Sequence, residues 1–203
     1  MRDRTIVQLK ILVWIACLYP FVRMLVQAVT GTLGPDPTHT ITFATGKATI
    51  WILILSLAIT PIRKLVPKLS WLIRFRRLVG LFAFFYATLH LLTYIGLYAY
   101  FDPGTIVTDI AKHRYVLVGM LAWLFLLLLA LTSSAWSIRK LGGTRWRALH
   151  RVVYLAAVLG ILHFWWLVKP GVLEPLNLTI LLALLLLLRP ILAALRARPK
   201  QTA

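Results

Sequence analysis

Six long apolar runs dominate this chain of 203 residues, and they leave it few ways to fold. A transmembrane helix needs about 20 mainly apolar residues, and backbone polar groups surrounded by lipid must pair internally. The runs lie at about 9–29, 43–62, 78–100, 115–133, 146–168 and 172–195. Hydrophobic residues make up 61% of the chain and charged residues 14%, against about 45–50% and about 25% in a soluble domain. The expected fold is an all-α integral membrane protein, with residues 1–203 forming one six-helix bundle.

The basic residues at the start of the chain (Arg2, Arg4, Lys10) resemble the opening of a signal peptide. The apolar run nevertheless passes Cys17 with no A-x-A cleavage pattern. An uncleaved first helix is expected, kinked at Pro20. The turn formers of 31–42 and 101–114 predict outer loops, the second around Asp102-Pro103-Gly104. Arg189-Pro190 predicts that the last helix emerges or breaks early.

A net charge of +18 suggests nucleic-acid binding until its distribution is considered. Arg2, Arg4 and Lys10 lie around the start of run one, and Arg63, Lys64, Lys68, Arg74, Arg76 and Arg77 follow run two. Arg139, Lys140, Arg145, Arg147 and Arg151 lie around the start of run five, and Arg189, Arg196, Arg198 and Lys200 close the chain. These are 18 of the 23 basic residues, on alternate sides of successive runs. The other side holds four of the five acids. This is topology signalling: the basic side is cytoplasmic, both termini lie there, and an even number of spans is required. Nucleic acid is not an expected partner; membrane lipid is.

Against this apolar background His90, His150 and His163 stand out. Ionisable groups at membrane depth are costly and usually face an interior, a ligand or a pathway, and imidazole is a common axial ligand of haem iron. His90 sits 12 residues into run three, about 18 Å deep, and His163 is 17 residues into run five, about 25 Å deep. The two are placed to ligate one haem from opposite faces, in the middle or outer half of the bilayer. His150 is about 20 Å from His163 along the helix axis and cannot share its iron. It marks an inner level, for a second haem or for a flavin or quinone. All three are candidate metal ligands.

Gly160, three residues before His163, lies on nearly the same helix face and leaves room for a flat ring. Arg147 and Arg151 beside His150 are candidate partners for haem propionates or a flavin phosphate. Tyr86 and Tyr94 flank His90 at four residues either way and read as packing or interface-belt side chains, as do Trp165 and Trp166. His39 and His113 fall in outer loops and carry no assigned role. The single Cys17 excludes a C-x-x-C-H attachment and a cysteine-ligated iron–sulfur cluster, so any haem is b-type. P-loop, G-x-G-x-x-G, H-E-x-x-H and G-x-S-x-G patterns are absent. With no nucleotide-binding domain in this length, electrons are expected from a separate donor.

The segments RFRRLVGLFAFFYATLHLLTY (74–94), GTRWRALHRVVYLAAVLGILHFWWLVK (143–169) and GPDP…TGKATI…ITPIRK (34–64) resemble the MsrQ family, also called YedZ. That family is similar to the ferric reductase-like transmembrane domain of the NADPH oxidases. The resemblance implies the haem-binding membrane subunit of a bacterial methionine sulfoxide reductase system, in the inner membrane, with haem ligands at His90, His150 and His163. It also implies FMN as a cofactor, for which the residues themselves offer no pattern. The implied partner is MsrP, a periplasmic molybdopterin reductase of oxidised proteins, in a heterodimer. The implied donor is quinol or a cytosolic flavin reductase. NADPH oxidases carry two histidines on the third span where this chain has only His90, so two bis-histidine haems cannot be built in one copy. The alternative reading is a stand-alone membrane ferric or quinone reductase.

Overall fold

The computed structural model describes the backbone of residues 3–197 and the side chains of 4–195. Arg2, Arg198 and Lys200 of the basic set, and the Arg196 side chain, lie outside the described residues. The described residues contain no strand, and six helical segments are long and apolar enough to cross a membrane. These are α1 (Asp3–Val29), α2 (Pro37–Leu65), α3 (Arg76–Thr93) with its extensions, α5 (Arg114–Leu131), α8 (Val152–Leu167) with the turn before it, and α9 (Glu174–Ala197). The shorter helices α4 (Pro103–Lys112), α6 (Ala135–Leu141) and α7 (Gly143–Leu149) lie between them. The closest associations pair α2 with α3 and α5 with α8, and α3 packs on α5 to join the pairs.

Both predicted outer loops are shorter than expected, for the same reason. Asp36 accepts the His39 N–H at 2.9 Å and Pro37 occupies the first turn, so α2 begins six residues before the apolar run. Asp102 likewise accepts from the Gly104 and Thr105 N–H groups and Pro103 starts α4. An acceptor side chain followed by proline at the first helical position is a helix start, and in both places it had been read only as a turn. The Thr105 hydroxyl and these amides also hold the Asp102 carboxyl below its ordinary range.

The fifth span is not one uninterrupted helix. His150 caps α7 and Arg151 precedes α8. In contrast, α9 does not break at Pro190 but continues to Ala197. It buries a seam of Leu178, Leu182, Leu185 and Leu192 and exposes Ile180, Leu184, Leu187 and Ile191, as a helix between bundle and lipid should.

Two prolines open gaps in the helix ladders, and other helices fill them. Pro20 disturbs the turn in which Phe21 N–H would reach the Cys17 carbonyl. The Tyr86 hydroxyl of α3 occupies that rung, accepting from Phe21 N–H at 3.0 Å and donating to Cys17 O at 2.7 Å. Pro61 has no N–H to offer Leu57 O four residues earlier. The Arg189 guanidinium of α9 supplies one instead, with Nη2 at 2.6 Å from Leu57 O and Nη1 at 2.6 Å from Tyr154 Oη. It also lies over the Tyr154 ring. Neither Tyr86 nor Arg189 is a spare polar group in an apolar helix. Tyr86→Phe should leave the Phe21 amide and Cys17 carbonyl unpaired at a cost of about 1–3 kcal/mol. A lowered thermal midpoint in detergent, with secondary structure retained, is the expected result; an unchanged midpoint would remove the role assigned to this bridge.

Candidate functional site

The structure brings His90 and His163 together. Their ring centroids are 5.9 Å apart and their planes are inclined at 81°. His90 lies near the end of α3 and His163 near the end of α8, at the end of the bundle opposite the basic loops. By the positive-inside rule this is the outer end. A five-residue π-helical turn, Tyr94–Tyr98, follows α3 directly; such turns are frequent at functional sites.

Each imidazole is seated in the same way on the first turns of a neighbouring helix. His90 Nδ1 is 3.0 Å from Thr42 O on α2, and His163 Nδ1 is 2.7 Å from Tyr115 O on α5. A carbonyl only accepts, so Nδ1 carries the proton in both rings. Four residues beyond each carbonyl stands a glycine, Gly46 in one case and Gly119 in the other. A Cβ at Gly46 would lie 3.1 Å from His90 Cε1, and one at Gly119 would lie 2.7 Å from His163 Nδ1. A Cβ at Gly119 would displace the His163 ring, and one at Gly46 would crowd the His90 ring.

The donor set suits a six-coordinate metal such as haem iron. With Nδ1 protonated, each Nε2 keeps its lone pair, and neither Nε2 is hydrogen-bonded among the described residues. Two metal–imidazole bonds of about 2 Å each, with the half-width of both rings, span roughly 6 Å, which matches the ring separation. Phe43 and Phe164 pack edge to face beside the pair at 6.4 Å. A Cβ at Gly160 would meet nothing within 4 Å, so there is space on the His163 face of α8.

The other predicted residues lie elsewhere. His150 stacks on Trp146 at 3.9 Å between centroids, and its Nε2 is 3.2 Å from Thr132 Oγ1. Trp146 Nε1 donates to Thr132 O, so the three form one unit at the basic end, apart from the histidine pair. Among the described residues Arg147 reaches only Thr144 Oγ1, at 3.4 Å, and Arg151 is exposed. Tyr94 donates to Asp109 Oδ2 at 2.9 Å. His39 stacks on Phe43 in the first turn of α2. Sequence reasoning chose Gly160 and passed over Gly46 and Gly119. Their signal was available: each is a glycine inside an apolar span, where it costs helix stability and must be offset by close approach.

Residues 44–161 match the model of the ferric reductase like transmembrane component family. That stretch contains Gly46, His90, Gly119 and His150 and stops two residues before His163. A protein of Rhodospirillum rubrum described as protein-methionine-sulfoxide reductase heme-binding subunit MsrQ is 48% identical over 189 residues, covering 93% of this chain and 90% of that protein. Proteins of the same description from Ralstonia nicotianae and Herminiimonas arsenicoxydans are 45% and 43% identical. They cover 77% and 89% of this chain, and the matches span 72% and 84% of their own lengths.

Gly119→Ala should force the His163 ring off Tyr115 O and destabilise the protein by about 1–3 kcal/mol, although alanine is otherwise the better helix former. Gly46→Ala, with its looser contact, should cost less. Thermal unfolding of both variants in detergent checks the order, and two unharmed variants would contradict this seating.

Proposed function

The chain belongs to the ferric reductase-like transmembrane family and within it to the MsrQ subunits, and on that premise we propose that it is a b-type cytochrome. It relays electrons across the bacterial inner membrane to a periplasmic molybdopterin methionine sulfoxide reductase, MsrP, its partner in a heterodimer. The observation that carries the reading is the His90–His163 pair, with both Nδ1 atoms committed to carbonyls and both Nε2 atoms free.

Haem, when bound, supplies an iron that takes up and gives back single electrons. Everything else is the work of this chain. The Nε2 atoms of His90 and His163 would hold the haem iron. The Thr42 and Tyr115 carbonyls hold the ring orientations and make the imidazoles stronger donors, as outer hydrogen bonds to metal-bound histidines do. At the basic end, His150 with Trp146 and Thr132 forms the entry level, and the exposed Arg147 and Arg151 stand beside it. Quinol or a cytosolic flavin reductase delivers electrons there, and FMN, which the family resemblance implies, would bind at the same level. Reduction of methionine sulfoxide takes place on the partner.

The purified protein should show a reducible b-type spectrum. Each single variant, His90→Ala or His163→Ala, should weaken haem binding, and the double variant should abolish it. Full haem retention in the double variant would sink the pairing. His150→Ala should keep the bands of the pair while slowing their reduction by a cytosolic donor; an unchanged rate would remove His150 from the entry path.

A further inference from the structure

At the outer end a cleft of about 430 Å³ opens beside the histidine pair, lined by Lys112, His113, Arg114, Tyr115 and Trp166. It borders the site through Tyr115. The Tyr115 ring is 6.2 Å from the His163 ring, the Tyr115 carbonyl holds His163 Nδ1, and Trp166 is one helical turn beyond His163. The cleft forms because α4 ends and α5 begins at His113, whose single extended conformation (φ −115°, ψ 101°) places Lys112 and Arg114 on either side of the break.

Cations are out of place here. The outer side holds only five of the 23 basic residues, and positive charge on that side works against the topology. Lys47 is neutralised by Glu174 at 2.6 Å. Asp109, the acid beside the cleft, is already engaged by the Tyr94 hydroxyl and by His113 Nδ1 at 3.4 Å. Neither Lys112 nor Arg114 has a carboxylate partner among the described residues. Two unneutralised cations therefore converge on the mouth of a site that suits haem, and haem b carries two carboxylates.

We propose that Lys112 and Arg114 bind the haem propionates, so that the haem edge opens into this cleft on the outer face. The assignment rests on the haem reading above and leaves Arg147 and Arg151, beside His150 at the basic end, to the inner level. A charge-assisted hydrogen bond to a carboxylate is short and strong, and here it also fixes which edge of the ring faces the outer surface. Arg114 is suited to grip a carboxylate with two parallel N–H groups, whereas Lys112 acts as a point charge.

The test uses the full chain carrying haem, with Lys112→Ala/Arg114→Ala, Lys112→Arg/Arg114→Lys and Arg147→Ala/Arg151→Ala variants. Both outer residues are exposed, so the fold should survive their replacement. The haem dissociation constant and the midpoint potential are measured for each, and haem-depleted samples are then loaded with haem b or with its dimethyl ester. The outer alanine variant should bind haem b about tenfold more weakly, the loss expected for a charge-assisted bond. Its midpoint should fall, because nearby cations favour the reduced iron. The charge-keeping pair should lose much less than the alanine pair, and the inner variant should resemble wild type. With the dimethyl ester, wild type and outer variant should become equal. The assignment is overturned by an outer variant that binds haem b normally, or by a difference that persists with the ester, as a lipid phosphate in the cleft would produce. A wild type that holds no haem fails earlier, at the haem reading itself, and removes this assignment with it.

Discussion

The hydrogen bond from an imidazole Nδ1 to a backbone carbonyl of the neighbouring helix is the interaction on which this structure turns. It occurs twice, from His90 to Thr42 O and from His163 to Tyr115 O, and it does three things at once. It satisfies a polar group where no water is available. It fixes the tautomer, so that the reactive nitrogen of each ring is Nε2. It also ties α3 to α2 and α8 to α5, the two closest helix pairs in the bundle. A glycine four residues past each carbonyl is the steric condition for the bond. The site and the helix packing therefore share one cause.

The same constraint governs the rest of the bundle. Lipid cannot hydrogen-bond a backbone group, so every interruption of a helix must be closed by protein. The Tyr86 hydroxyl closes the rung opened at Pro20, and the Arg189 guanidinium takes the carbonyl vacated by Pro61. These two cross-links attach α1 to α3 and α9 to α2. They account for a buried tyrosine and a polar arginine that have no part in ligation. They also explain why α9 continues through Arg189-Pro190 when a local reading stops it there: a tertiary partner makes an arginine inside the span tolerable.

How much of this was legible follows from which signals are local. Six spans and their alternating charge are written in runs of about 20 residues, and the six apolar helices of the structure match them. That His90 and His163 reach a similar depth and come close in space was also legible, because depth along a helix is a linear count from a basic boundary. Seating was not: that Gly46 faces His90 and Gly119 faces His163 depends on how separate helices dock, which no spacing within one span reveals. The helical character of 37–42 and 103–112 was missed for a different reason. Asp-Pro begins a helix as readily as it makes a turn, and what separates the two is a downstream amide that donates to the aspartate side chain.

The angle between the two imidazoles offers the most direct test. Carbonyls on two different helices hold the ring planes at 81°, and the axial ligand planes of a haem bound between them should stay near perpendicular. Low-temperature electron paramagnetic resonance of the oxidised, purified protein reads that angle. The account predicts a low-spin ferric signal with the strong anisotropy of crossed imidazole planes. A high-spin signal, or the ordinary rhombic low-spin signal of near-parallel imidazoles, would contradict it.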